Sequence, residues 1–348
     1  MKRQGALLVS AALMLAACDN PANEIPEPTA QPEETTEGSF HSDNADEILA
    51  AVQESLDTVR ENVEVSDSAK ERIMGPALRS IQGETRVASR TGDEKFLTTV
   101  TTDGANSTWG AAGQYPRVAM AFANEPEGEN AAQLLVLVQT RGQSNFRLWG
   151  YAHLFSSDNS YEFDSSTTSV DANESEGLVA SPVEVGDDYV NRLNNRDSEF
   201  SFTDDPLSTS LEEQRSSLAE SVEGTGEYSL EPVRETDQGP ISISTEDGGV
   251  VSMSVYSYDM TITRTVEGST ITVGEPLAAM VGAGDGTYDV KGKLRAHYQV
   301  MVAFYIPPEG SEEDIVVLGA SAPSLFLVED DTSANPDEGA NDPEEVEE

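Results

Sequence analysis

Residues 290–306 read VKGKLRAHYQVMVAFYI, and the alternation inside them decides the fold class. Val290, Leu294, Ala296, Tyr298, Val300, Val302, Phe304 and Ile306 occupy even positions, while Lys291, Lys293, Arg295, His297 and Gln299 begin the odd ones. Strand side chains alternate between faces, so a period of two predicts a long antiparallel strand with one apolar and one basic face. Strand patterns flank it at about 226–234, 240–245, 250–265 and 314–328, and Glu246-Asp-Gly-Gly249 marks a turn between two of them. Helices precede them. Ser181-Pro182-Val183-Glu184 has the form of a capping box with proline at the first helical position. Asp205-Pro206 starts a second helix with Leu207, Leu211, Leu218 and Val222 on one stripe.

The first half of the chain has the same plan. Ile48, Val52, Leu56 and Val59 fall at helical spacing behind the acidic start at 43–47. Ser68-x-x-Glu71 reads as another capping box, and Gly75-Pro76 should kink or restart that helix. Strands are expected at 97–102, 117–123, 133–139 and 145–155, the last two joined by Arg141-Gly-Gln-Ser-Asn145. A polar stretch from Ser156 to Gly177 divides the halves. Helices followed by antiparallel strands, twice, predict an α+β layout and disfavour a Rossmann or two-lobed solute-binding fold. The expectation is two consecutive domains, 43–156 and 179–328, joined by a linker at 157–178. Each resembles the cone-shaped nuclear-transport-factor-2-like or cystatin-like class, a likeness that implies no function.

The termini give the address. Lys2-Arg3 precede a thirteen-residue apolar run, Gly5–Ala17, too short to span a bilayer comfortably and typical of a signal segment. It ends in Leu15-Ala16-Ala17-Cys18, a bacterial lipobox holding the only cysteine of the 348 residues. Residues 1–17 are therefore read as a lipoprotein signal peptide cleaved between Ala17 and Cys18. Cys18 is read as carrying a diacylglyceryl anchor, whose two chains suffice for stable retention on the extracytoplasmic face of the cell membrane. Residues 18–42 read as a disordered acidic tether and 329–348 as a disordered acidic tail, since neither offers an apolar face to bury.

Several segments taken in order carry a resemblance: Arg72-Ile-Met-Gly-Pro-Ala-Leu-Arg79, Asn145-Phe-Arg-Leu-Trp-Gly-Tyr151, Glu176-Gly-Leu-Val-Ala-Ser-Pro182 and Val302-Ala-Phe-Tyr-Ile-Pro-Pro308. Behind a lipobox, they resemble an uncharacterised family of actinobacterial membrane-anchored lipoproteins. The resemblance implies a high-GC Gram-positive envelope and carries over no activity and no catalytic residues.

Composition narrows the chemistry. With 64 Asp+Glu against 20 Lys+Arg the formal charge is −44, which argues against nucleic acid as a partner. One cysteine excludes an internal disulfide and a thiolate metal site. No nucleophile elbow, zinc-protease helix, P-loop or calcium-loop pattern is present, and acid pairs are too numerous to signal a glycosidase. No catalytic residue, metal site or cofactor is assigned. Two surfaces are singled out. Trp149, Tyr151 and His153 share a face if the period of two holds, either as core or as a stacking pocket. Lys291, Lys293, Arg295 and His297 form a basic stripe, either paired by carboxylates on neighbouring strands or open as an anion site.

The reading is a non-catalytic envelope lipoprotein, a binding or accessory module. Its partners would be the membrane through its lipid and an anionic envelope component or another envelope protein. Two alternatives stay open: a small-molecule hydrolase or isomerase using a pocket in one cone-shaped domain, with His153 or a carboxylate facing into it, and a structural acidic protein without a specific ligand.

Overall fold

The computed structural model describes residues 42–110, 115–126, 131–156, 161–163 and 169–338. The expected signal peptide, Cys18 and the expected tether up to residue 41 lie outside the described residues. Helices α1 (Ser42–Asn62) and α2 (Gly75–Thr91) precede strands β1 (Asn106–Trp109), β2 (Arg117–Ala123), β3 (Gln133–Gln139) and β4 (Arg147–Leu154). The short β5 (Ser169–Val170) leads to α3 (Pro182–Leu193) and α4 (Pro206–Val222). Then come β6 (Gly226–Arg234), β7 (Ile241–Ser244), β8 (Val250–Arg264), β9 (Thr272–Gly274), α5 (Leu277–Val281) and β10 (Thr287–Asp289). The chain ends with β11 (Lys293–Ile306), β12 (Val316–Ala320) and β13 (Ser324–Asp331). Mixed helix and antiparallel sheet make this an α+β fold. Among the described residues no helix is long and apolar enough to cross a membrane.

Local chemistry explains the starts of α3 and α4. The Ser181 hydroxyl accepts the Glu184 amide while the Glu184 carboxylate accepts the Ser181 amide, which closes the capping box of α3. Asp205 caps α4 by accepting the Ser208 N–H at 2.8 Å, with Pro206 behind it. Ser68 fails as a cap. Only a single 3-10 turn, Ala69–Glu71, forms there, and the Ser68 side chain makes no capping bond. The reason is tertiary: the Met74 N–H bonds the Leu148 carbonyl and the Leu148 N–H bonds the Arg72 carbonyl. Ile73 and Met74 are thereby drawn along β4 as extended chain, and the helix restarts at Gly75-Pro76.

The two halves do not form separate domains. Eleven strands make one sheet, in the order β1-β2-β3-β4-β12-β11-β8-β7-β5, with β13 also on β11 and β6 also on β8. The joint is β12, which pairs β11 from Val302↔Ala320 and β4 at Ala320↔His153. An isolated first half would have left β4 with an open edge, and unpaired edges are a liability that β12 removes. The stretch expected as a linker, 157–178, is stitched into the body where it is described. Phe163 bridges Thr245, Val170 pairs Ser242, and the Tyr161 ring stacks on Tyr305 at 4.1 Å.

The long pair β8–β11 runs in register from Lys293↔Thr263 to Ile306↔Val250. Beyond Gln299 both faces of β11 are buried. Val300, Val302 and Phe304 pack with Tyr189 and Leu193 of α3 and Leu207 of α4. Met301, Ala303 and Tyr305 join Met253 and Val255 in a second core shared with α1, α2 and β2–β4. The sheet curls to enclose that second core, because β2 touches β7 although five strands separate them in the sheet. Gly150 lies at a tight approach in this core, where an added Cβ would sit 2.6 Å from Met253 Sδ. Gly83 does the same for α2: a Cβ there would meet the Leu325 carbonyl at 2.6 Å, so the helix lies directly against β13.

Acidic residues 329–331, expected in a disordered tail, belong to β13. It continues to Asp331, followed by a 3-10 turn at Thr332–Ala334. Arg264 then ties Asn335 and Asp337 to the end of β8, with the Asp337 carboxylate at 2.7 Å. Residues 339–348 lie outside the described residues.

Candidate functional site

Residues 97–102, expected as a strand, cross the fold as extended chain with no strand partner among the described residues. Side chains supply the missing ladder. Gln133 accepts the Thr101 N–H through Oε1 and donates through Nε2 to the Thr99 carbonyl, at 3.0 and 2.7 Å. Gln53 of α1 accepts the Thr102 N–H at 2.7 Å, and Glu84 of α2 accepts the Thr98 N–H at 3.0 Å. Buried backbone groups need partners, and here helix and strand side chains stand in for a neighbouring strand.

That arrangement holds 97–103 away from the helices and leaves a cleft of about 360 Å³ between it, α1 and α2. Leu56, Val59, Ile81, Leu97 and Val100 give it apolar walls, and Thr85, Thr98, Thr99 and Thr101 add hydroxyl-bearing residues. Asp57, Asp103 and Glu125 line it as well, against a single cation, Arg60. Arg60 donates through Nη1 to the Thr99 hydroxyl at 2.7 Å.

Glu84 is the unusual member of the lining. It is only 8% exposed. Its Oε1 accepts the hydroxyls of Thr98, Tyr151 and Ser324, at 3.0, 3.2 and 2.9 Å, and its Oε2 accepts the Thr98 amide. Burial pushes its carboxyl above the ordinary range, and the four neutral donors pull it part of the way back. Burial first, and the Glu84 charge second, also push the Tyr151 phenol well above its usual value.

The expected aromatic face does not form a pocket. Between Val136 and Leu137 of β3 the register with β4 shifts, leaving Trp149 as an extra residue. A bulge interrupts the period of two, so the shared face extrapolated along 149–153 is broken at its first member. Trp149 is buried against Gly75 and Gly239, and Tyr151 is fully buried with its hydroxyl on Glu84. His153 lines a second, more open groove of about 470 Å³ with Lys95, Leu97, Phe155, Leu207 and Pro323. Its Nε2 lies 3.4 Å from Nε2 of Gln133.

The basic stripe meets acids on both neighbouring strands. His297 Nδ1 lies 2.7 Å from Asp259 of β8, and its Nε2 lies 3.1 Å from Glu329 of β13. Arg295 approaches the same two carboxylates, at 3.8 and 3.5 Å. Lys293 stands opposite Asp331 and helps hold that carboxyl below its ordinary range, after the Ser333 hydrogen bonds; Lys291 does the same more weakly for Asp337. The stripe is a paired surface along Arg295 and His297, as cross-strand matching of charges requires. The cleft residues were missed in the sequence because Glu84 sits inside a helical pattern among many acids. Its one signal is an acid on the apolar stripe of α2, three residues after Ile81.

Compared with known proteins, the chain matches no family model, no curated protein and no solved structure.

Proposed function

We propose that this protein is a non-catalytic cell-envelope lipoprotein, held on the extracytoplasmic face of the membrane by a diacylglyceryl group on Cys18. Its folded unit would serve as a binding module, with the cleft between α1, α2 and 97–103 as the ligand site. The observation that carries the anchor is Leu15-Ala16-Ala17-Cys18 behind a short apolar run, with the only cysteine of the chain in the acylated position. The composition beyond it suits a spacer, since residues 19–41 hold six acids, no Lys or Arg and few large apolar side chains. The ordered segments that resemble membrane-anchored lipoproteins agree with this location. The cleft supports binding because it is concave and combines apolar walls with convergent polar groups around a perturbed acid.

Metabolic labelling with an alkyne fatty acid tests the anchor. The wild-type chain should take up the label and fractionate with membranes, while Cys18→Ser should do neither. A Cys18→Ser chain that stays in the membrane fraction overturns the anchor. Native mass spectrometry of the full-length, detergent-extracted protein tests the binding module. A small mass should accompany the wild type and be absent from Leu97→Trp, which fills the cleft. No such mass in either removes the binding reading.

A further inference from the structure

The ligand class follows from the charges around the same cleft, and the inference rests on that cleft's being the binding site. Glu84 lines the cleft as a nearly buried carboxylate, yet every donor it accepts is neutral: one amide and three hydroxyls. No Lys or Arg among the described residues forms an ion pair with it. Oε1 takes three of the four bonds, whereas Oε2 takes only the Thr98 amide. Taking a carboxylate out of water is costly, and a cation at hydrogen-bonding distance is what offsets that cost best. The fold has such cations elsewhere and places them on other acids: Arg192 on the fully buried side chain of Asp205, Arg79 on Glu235. At Glu84 it places none. Arg60, the only cation in the lining, is an exposed side chain bonded to Thr99.

We propose that the cleft binds a small organic cation, an ammonium group on an apolar body, with Glu84 as its charge partner. The ammonium supplies N–H donors for Oε2, and Leu56, Val59, Ile81 and Val100 take the apolar part. Asp57, Asp103 and Glu125 raise the local concentration of cations and repel anions. A volume of about 360 Å³ lies at the small end of ligand sites, which suits an amine of drug-fragment size rather than a polymer.

Calorimetric titration of the full-length protein in a neutral maltoside detergent, with micelle blanks subtracted, tests this with three probes of matched length: n-hexylammonium, hexan-1-ol and hexanoate. Hexylammonium should bind saturably at one site at about 0.15 M salt, and the alcohol and the anion should bind more weakly. Glu84→Gln should weaken hexylammonium by at least about tenfold, because it removes one partner of a desolvated charge pair. Glu329→Gln, a surface acid outside the cleft, should leave the affinity unchanged, which separates the site from general attraction to an acidic protein. Equal affinity for hexanoate, undiminished binding in folded Glu84→Gln, or an equal loss in Glu329→Gln overturns the proposal. Where Glu84→Gln does not fold, Leu97→Trp decides: retained hexylammonium binding overturns it. If hexylammonium fails while a small mass still accompanies the wild type and not Leu97→Trp, the cation class is wrong and the binding module stands.

Discussion

Glu84 and Glu329 are two acids in one strongly acidic chain, and the fold treats them oppositely. Glu329 lies on β13 with a side chain about half exposed, 3.1 Å from His297 and 3.5 Å from Arg295. Its partners were selected by register: β13 is antiparallel to β11, so Arg295 stands directly opposite Glu329 and Lys293 opposite Asp331. Water still reaches that cluster, so the attraction is screened and small. Glu84 sits beneath a segment with no strand partner and is held by neutral hydroxyls and an amide. There the carboxylate is a structural acceptor first, because it takes the hydrogens of one amide and three hydroxyls. Charge count does not distinguish the two acids. Burial and the choice of partner do.

The largest expected break in this contrast is Glu84→Ala. It leaves the Thr98 amide and the hydroxyls of Tyr151 and Ser324 without their acceptor, and should lower unfolding free energy by about 3–5 kcal/mol. Urea unfolding followed by near-ultraviolet circular dichroism measures it; a loss below about 1 kcal/mol would place Glu84 with the surface acids. Next in size are two truncations. Ending the chain after Asp331 removes Asn335 and Asp337 from Arg264, whose side chain is only 4% exposed, and should lower the melting temperature by several degrees. Ending it after Glu338 keeps those contacts and should leave the melting temperature unchanged.

A pH series sharpens the contrast further. Burial raises the folded-state carboxyl of Glu84 above its ordinary value of 4.5, so the folded protein holds this proton more tightly than the unfolded chain. The associated stability is present below the ordinary value and is lost as pH rises through the folded value. Glu235 is shifted in the same direction, by burial against the pull of Arg79, so the comparison has to be made between variants. Unfolding free energy of the wild type minus that of Glu84→Gln should fall as pH rises above the ordinary carboxyl value of 4.5. A difference that is flat across that range removes the buried-acid reading. The smallest effect belongs to Glu329→Gln, about 0.2–1 kcal/mol at low salt and less at about 1 M salt. A larger, salt-independent loss would mean that the β11–β13 cluster is as desolvated as the cleft.

Local chemistry written in the chain settled much of this protein. The α3 capping box, the Asp205-Pro206 start of α4, the restart at Gly75-Pro76 and the strands of β2, β3, β4 and β8 follow from contacts within a few residues. The proposed lipobox is equally local, a reading of four adjacent residues. Alternation in 290–306 gave the strand and its basic stripe, but not that the odd face would be covered from Gln299 onward. That depends on where α2 docks, with Gln299 Nε2 donating to the Pro76 carbonyl and Ser80 hydroxyl at 2.8 and 2.9 Å. Nor does a period of two reveal the bulge at Trp149, which exists only in the pairing of β4 with β3. The two-domain expectation failed for the same reason, because β12 reaches back to β4 across more than 160 residues of sequence. The acids at 329–331 look like tail by composition and become strand only when β11 presents cations in register. Glu84 is the sharpest case. In sequence it is one of 64 acids, and only the convergence of Thr98, Tyr151 and Ser324 from three separate stretches of chain makes it the base of a cleft. Propensity, capping and patterning act over one or two turns of chain, whereas desolvation is a property of everything that surrounds a group, and only the tertiary structure assembles those surroundings.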